Sequence, residues 1–138
     1  MKRYEQIFHT ADLAAIIYGQ DIKELFENSA YAMFDMMGDI GGLGASEIVK
    51  VHLVAPDRES LLISWLNELL YLSYSKSALF SEFNVTVLTE TELQAEAKGQ
   101  SIAKDIKRLH TEIKAATYHD LKIQQTNKIY MVTIVFDV

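Results

Sequence analysis

The sequence predicts an α+β fold, in which two main α-helices pack with a mixed, mostly antiparallel β-sheet. The first observation is the stretch Asp57–Ser73, where nine of the twelve residues from Leu61 to Leu72 are apolar and none is glycine or proline. The second is a set of short segments in which apolar and polar residues alternate, as they do in half-buried strands. The chain has 138 residues and is 49% hydrophobic, so we expect a single domain, residues 1–138, with one core.

The apolar stretch predicts a central helix that other elements cover on most sides. Asp57 stands at the N-cap position, and a leucine-rich run favours helix. We expect Trp65 and Leu69 to be buried between the sheet and the first helix. The helix is too short and too polar to span a bilayer, because four polar residues form a narrow strip along it: Ser60, Ser64, Asn67 and Glu68.

The N-terminal part predicts two strands followed by the first helix. Tyr4–Phe8 and Leu13–Tyr18 are the predicted strands. Asp21 is the predicted N-cap, with Glu24 at the capping-box position, and Gly38 is the predicted helix stop. The predicted buried stripe has helical spacing and contains Ile22, Leu25, Phe26, Ala30, Met33 and Met37.

A glycine-rich loop and a half-buried strand follow the first helix. The glycines of Gly38–Ala45 do not have the spacing of a phosphate-binding loop, and a strand rather than a helix comes next, so we favour a surface loop. Val49, Val51 and Leu53 alternate with polar residues and predict that strand.

The second half of the chain is predicted to be rich in strands. We expect Tyr74–Ala78 to be a polar connection, followed by strands that begin at Phe83 and Leu93 on either side of a turn. Ile102–Leu109 predicts a short helical turn or a loop. The runs Thr111–Gln124 and Lys128–Val138 predict a long hairpin around the polar turn at 125–127.

Charge and cysteine content exclude several classes of function. The formal net charge is −6 and the pI is about 5.1, which disfavours direct binding to nucleic acid. The chain has no cysteine, which excludes disulfides, thiolate metal sites and cysteine nucleophiles and fits a reducing cytoplasm. No apolar run follows the two basic residues near the N-terminus, so we expect no signal peptide and no membrane association.

Two acids stand out as candidate metal ligands. Asp12 interrupts an apolar hairpin, and Asp137 ends an apolar strand next to the terminal residue, Val138, with its α-carboxylate. Three such oxygen anions would suit Ca²⁺ or Mg²⁺ rather than Zn²⁺. The alternative is that they are solvated carboxylates at strand ends, since spacing alone does not bring Asp12 and Asp137 together. His9 is expected to cap its strand, and His119 is expected to be packed or hydrogen-bonded rather than catalytic.

Five motifs, in this order and spacing, resemble the archease family over essentially the whole chain. They are His9-Thr10-Ala11-Asp12, YGQDIKELFENSAYAMFDMM, SLLISWLNELLYL, EIKAATYH and the ending Val135-Phe136-Asp137-Val138. The sequence departs from the family pattern at two places. Asp120 stands where a small residue is common in the family, and Gln100–Leu109 lacks the proline-containing loop often seen there.

The resemblance implies a protein cofactor rather than an enzyme. Archeases assist RtcB-type tRNA-splicing ligases, so the expected partner is such a ligase, with tRNA reached only through it. The implied role is to promote guanylylation of the ligase histidine by GTP and to restore multiple turnover. The implied metal ligands are Asp12, Asp137 and Val138, the cation is expected to be Ca²⁺, with Mg²⁺ or Mn²⁺ as alternatives, and Lys114 is the implied activation residue. A stand-alone metal-dependent hydrolase and a general protein chaperone remain as alternative functions.

Overall fold

The structure, a computed structural model, describes residues 1–7 and 12–138. Within these ranges the order of elements is that of an α+β protein. Their bounds are β1 Tyr4–Ile7, β2 Leu13–Gly19, α1 Ile22–Met37, β3 Glu47–Val54, α2 Arg58–Lys76, β4 Ala78–Leu88, β5 Glu92–Ser101, a 3₁₀ turn Ile106–Arg108, β6 Ala115–Ala116, β7 Gln124–Thr126 and β8 Ile129–Asp137.

The described strands form two antiparallel sheets. In the first sheet the order is β1-β2-β8-β6, and β7 also pairs with β8. In the second sheet the order is β3-β5-β4. The predicted fold class is therefore confirmed, with the strands divided between two sheets.

Helix α2 is the central element that its apolar sequence predicts. It packs against α1, against β3, β4 and β5 of the second sheet, and against β6 of the first. Trp65 and Leu69 are fully buried, as predicted. The indole N–H of Trp65 donates a hydrogen bond of 3.0 Å to the carbonyl oxygen of Phe26 on α1, so its one polar group is satisfied inside the core.

The N-terminal half follows the prediction closely. Asp21 and Asp57 cap the two helices, each through a side-chain oxygen that accepts from a backbone N–H three residues later. Val49 and Val51 are buried, and Leu53 packs against the core, which confirms the half-buried strand. The predicted strand Tyr4–Phe8 is confirmed as far as Ile7, since Phe8 lies outside the described residues.

Gly38 ends α1 for a different reason from the one predicted. Its φ of −169° is extended rather than left-handed, so the helix does not end in the usual glycine cap. A Cβ at this position would lie 2.3 Å from the carbonyl oxygen of Arg108, which identifies close backbone approach as the reason for glycine. The following residue, Asp39, donates its N–H to that same carbonyl at 2.8 Å.

The predicted polar connection Tyr74–Ala78 is wrong. Helix α2 continues to Lys76, and β4 begins at Ala78, five residues before the predicted strand start at Phe83. Ser77 turns the chain in a left-handed conformation, with φ of 51°, so a single residue connects the helix to the strand.

The long hairpin predicted for 111–138 is also wrong in its first half. Strand β8 is long, but 111–124 contains only the two-residue β6 and the first residue of β7. The hairpin is short and turns at Asn127-Lys128, because Thr126 pairs with Ile129. Ile102–Leu109 contains the predicted short helical turn, at Ile106–Arg108. In the described part of the chain, neither helix has the length and hydrophobicity needed to cross a membrane.

Candidate metal centre and its supporting contacts

The end of β8 lies between the end of β2 and the short strand β6. Phe136 pairs with Leu13 of β2 on one side and with Ala116 of β6 on the other. Asp137 follows Phe136 and pairs with Ala115. Phe136 is fully buried whereas Asp137 is exposed, so the carboxylate stands at the edge of the core.

Asp12 lies at the same end of this sheet. It precedes Leu13, whose partner in the ladder is Phe136, so Asp12 and Asp137 each stand one residue beyond the last β2–β8 pair. Asp12 is half-buried, and Val138 is 42% exposed. The topology therefore brings together strand ends that sequence spacing could not relate.

Lys114 stands on the other side of Asp137. Its backbone N–H donates a hydrogen bond of 2.7 Å to the carbonyl oxygen of Asp137. Lys114 is exposed and follows Ile113, which is fully buried, so a buried anchor precedes each of these two charged residues. The implied activation residue and the implied metal ligands are thus neighbours in the fold.

The donor set at this end of the sheet fits a hard divalent cation. It consists of oxygen anions only, at the ends of β2 and β8, with water-accessible surface where solvent or a partner could complete the coordination. Among the described residues, no group of three or more His, Cys, Asp or Glu side chains could hold a metal ion, so side chains alone do not complete a site here.

Two side chains of α2 hold the segment that carries Lys114. Asn67 forms two hydrogen bonds with the backbone of Ala116, and the hydroxyl of Tyr74 donates to the carbonyl oxygen of Ile113 at 2.6 Å. Burial raises the pKa of the Tyr74 hydroxyl, and the nearby carboxylate of Glu112 adds to this shift.

The sequence alone does not indicate a role for these two residues. Asn67 carries one signal, because it is a polar residue that interrupts an otherwise apolar helix. Tyr74 carries none, since the sequence predicts a connection there, whereas the structure puts it on α2, seven residues after Asn67.

The histidine predictions have different outcomes. His9 lies outside the described residues, together with Phe8, Thr10 and Ala11. His119 is exposed rather than packed, and its Nε2 lies 3.4 Å from Oδ2 of Asp120. Asp120 itself has φ of 49°, so the chain turns sharply after His119.

Comparison with known proteins identifies the family. The archease protein family model matches residues 4–138. The chain belongs to the archease family. The archease of Methanosarcina acetivorans is 38% identical over 141 residues, covering 99% of this chain and 97% of that protein. The archease of Sulfurisphaera tokodaii is 34% identical over 139 residues, covering all of both chains.

Solved structures agree with this assignment. The solution structure of Methanobacterium thermoautotrophicum protein 1598 has a TM-score of 0.87 and 34% identity, covering 100% of both chains. A Thermotoga maritima crystal structure, described as an archease and possible chaperone, has a TM-score of 0.64 at 24% identity, covering 97% of this chain and 96% of that one. The second likeness supports the fold alone. The predicted archease fold is therefore confirmed.

Proposed function

We propose that this archease is an accessory activator of an RtcB-type RNA ligase rather than an enzyme. It promotes GTP-dependent guanylylation of the ligase histidine and sustains multiple turnover in tRNA splicing and RNA repair. The observation that supports this proposal is the meeting of Lys114 and Asp137 at one water-accessible strand end. Such an end can be presented to a partner protein, which would supply the rest of the reaction site.

In this proposal, Asp12, Asp137 and the α-carboxylate of Val138 hold one divalent cation, Ca²⁺ in preference to Mg²⁺ or Mn²⁺. Carboxylates that converge without a cation would repel one another. When bound, the cation would supply positive charge for phosphate oxygens. The ammonium group of the exposed Lys114 would provide a second positive charge beside the cation. The hydrogen bond from the Lys114 backbone N–H to Asp137 keeps the Lys114 backbone next to that site.

The net charge of −6 supports a partner-mediated role toward RNA. An acidic protein is repelled by the phosphate backbone, so tRNA would be reached only through the ligase. The proposal places the working complex in the cytoplasm.

The test is single-turnover guanylylation of the cognate ligase by GTP, with and without the purified chain. We expect the wild type to accelerate guanylylation, and Asp137→Ala or Lys114→Ala to lose the acceleration while retaining the wild-type melting temperature. A matched control is Glu90→Ala, which removes an exposed acid from the β4–β5 turn of the other sheet. Acceleration that is equal for wild type and Asp137→Ala would refute the proposed site.

The chaperone alternative has one observation in its favour, namely several exposed large apolar side chains. They lie on separate segments, β3, α2, the 3₁₀ turn and the chain after β6, and include Val54, Tyr71, Ile106 and Tyr118. If the chain were a general chaperone, it would suppress aggregation of unrelated unfolded proteins at stoichiometric amounts. The hydrolase alternative requires the isolated chain to release phosphate from a nucleotide or RNA end without the ligase.

A further inference from the structure

The segment that carries Lys114 has little regular structure of its own. Strand β6 contains only Ala115 and Ala116, and it pairs with β8 through those two residues. A two-residue strand cannot by itself fix the backbone on its N-terminal side. What holds Ile113–Ala116 in place must therefore come from other elements.

Asn67 of α2 acts on Ala116 as a neighbouring strand would. The Ala116 N–H donates to Oδ1 of Asn67 at 2.8 Å, and Nδ2 of Asn67 donates to the Ala116 carbonyl oxygen at 3.2 Å. One side-chain amide thus satisfies both polar groups of one backbone residue. Such groups are costly to leave unsatisfied where water is excluded, and Ala116 is only 4% exposed.

Tyr74 of α2 makes a second attachment at the other end of the segment. Its hydroxyl donates to the Ile113 carbonyl oxygen at 2.6 Å. Asn67 and Tyr74 are seven residues apart, which in a helix is about 10.5 Å along one face. Ile113 and Ala116 are three residues apart, which in extended chain is about 10 Å. The two spacings match, with helix and segment running in opposite directions.

The third contact connects this segment to the candidate metal centre. The Lys114 N–H, between the two attachment points, donates to the Asp137 carbonyl oxygen at 2.7 Å. The residues on either side of Lys114, Ile113 and Ala116, are thus bonded to α2, and Lys114 itself is bonded to β8.

We propose that Asn67 and Tyr74 are positioning residues that fix Lys114 beside Asp137. Neither is expected to touch the ligase substrates, and both act through the backbone of Ile113–Ala116. This inference rests on the proposed function, because it assigns to the pair the geometry that the activation residue needs. The buried helix α2 would thereby hold the surface residue Lys114 in the position that activation needs.

The first arm of the test needs no ligase. Amide hydrogen exchange is measured by NMR for Lys114 and Ala116 in wild type, Asn67→Ala and Tyr74→Phe. We expect exchange at Lys114 to become about five- to tenfold faster in each variant, the effect of losing one ordinary hydrogen bond. The matched controls are Ser64→Ala and Tyr71→Phe on the same helix, and they should leave Lys114 exchange unchanged. Unchanged exchange at Lys114 in both Asn67→Ala and Tyr74→Phe would overturn the positioning role.

The second arm measures ligase guanylylation at increasing concentrations of each variant. A positioning defect lowers the maximal stimulated rate and leaves the concentration for half-maximal stimulation unchanged, whereas a loss of folded protein raises the apparent concentration needed. A raised concentration for half-maximal stimulation with an unchanged maximal rate, in both Asn67→Ala and Tyr74→Phe, would overturn the inference.

The two arms separate this inference from the proposed function. If the wild type fails to accelerate the ligase, the proposed function falls, and with it the second arm. The exchange arm then still decides whether α2 fixes the Lys114 backbone. If the wild type stimulates the ligase and faster exchange at Lys114 leaves stimulation at its wild-type maximum, the proposed function stands and the positioning role falls.

Discussion

Leu69→Ala tests whether α2 is the centre of the core. Leu69 is completely buried, so the substitution removes three carbon atoms with no access to solvent. At about 0.8 kcal/mol per buried methylene, the transfer contribution alone is about 2.4 kcal/mol. A residual cavity would add to this, and the full expected loss is about 2–5 kcal/mol. That is a large fraction of the roughly 5–15 kcal/mol that stabilises a typical domain.

Urea unfolding followed by tryptophan fluorescence is the assay, because Trp65 lies one turn before Leu69 on the same helix and is itself fully buried. With an m-value of about 1–3 kcal/mol per molar urea and a loss of about 2–5 kcal/mol, the midpoint should fall by at least about 0.7 M. Tyr71→Ala is the matched control, since Tyr71 is on the same helix but 66% exposed, and its loss should stay within about 0.5 kcal/mol. A loss below about 1 kcal/mol for Leu69→Ala would refute the central placement of the helix.

Three further predictions concern charge. The Ser60 backbone N–H lowers the pKa of Asp57, so this cap stabilises the fold above the ordinary carboxyl pKa of about 3.9 and loses its effect as pH falls through the lowered value. The difference in urea midpoint between wild type and Asp57→Ala should accordingly be present at pH 7 and shrink below about pH 4; a pH-independent difference would contradict this. Ca²⁺ should raise the melting temperature of wild type and Glu90→Ala but not of Asp12→Ala, Asp137→Ala or a chain extended beyond Val138; a shift retained in Asp137→Ala would exclude it as a ligand. The isolated chain should not bind tRNA, whereas its complex with the ligase should weaken as salt rises; tight, salt-sensitive binding of tRNA by the chain alone would contradict the partner-mediated role.

The elements with a strong local signal were predictable from the sequence. The run of apolar residues around Trp65, the caps at Asp21 and Asp57 and the alternation at Val49 and Val51 each carry their own physical cause, and the structure confirms them. The predicted helix end at Gly38 is correct. However, a glycine is needed there because the carbonyl oxygen of Arg108, 70 residues later in the chain, approaches its backbone closely. No local rule can supply a contact of that range.

The secondary-structure predictions were wrong where backbone or side-chain hydrogen bonds are made to another element of the fold. The run 111–124 has strand-like composition, yet the backbone of Ile113 and Ala116 bonds to the side chains of Tyr74 and Asn67 of α2. The sequence predicts that the helix ends at Ser73, yet α2 continues to Lys76, and the buried Ser73 hydroxyl donates to the Ala78 carbonyl oxygen. In both cases the polar group finds its partner only in the folded chain.

The sequence and the family resemblance suggested the candidate site residues, but they could not predict that these residues lie close together. Asp12 and Asp137 are 125 residues apart, and only the pairing of Leu13 with Phe136 puts their strand ends side by side. The meeting of Lys114 with Asp137 likewise depends on β6, whose two residues have no distinctive pattern. The family resemblance supplied the identities, and the sheet topology supplies the common location.

The central claim is that the chain acts on a ligase and not by itself, and multiple-turnover end joining tests it most directly. The assay uses limiting RtcB-type ligase, GTP and an RNA with a 2′,3′-cyclic phosphate and a 5′-hydroxyl, and it counts joined ends per ligase molecule. We predict that the ligase alone stops after few turnovers, that the added chain restores continued joining, and that the chain carrying Lys114→Ala does not. Continued joining by the ligase without the chain, or equal joining with wild type and Lys114→Ala, would contradict the account.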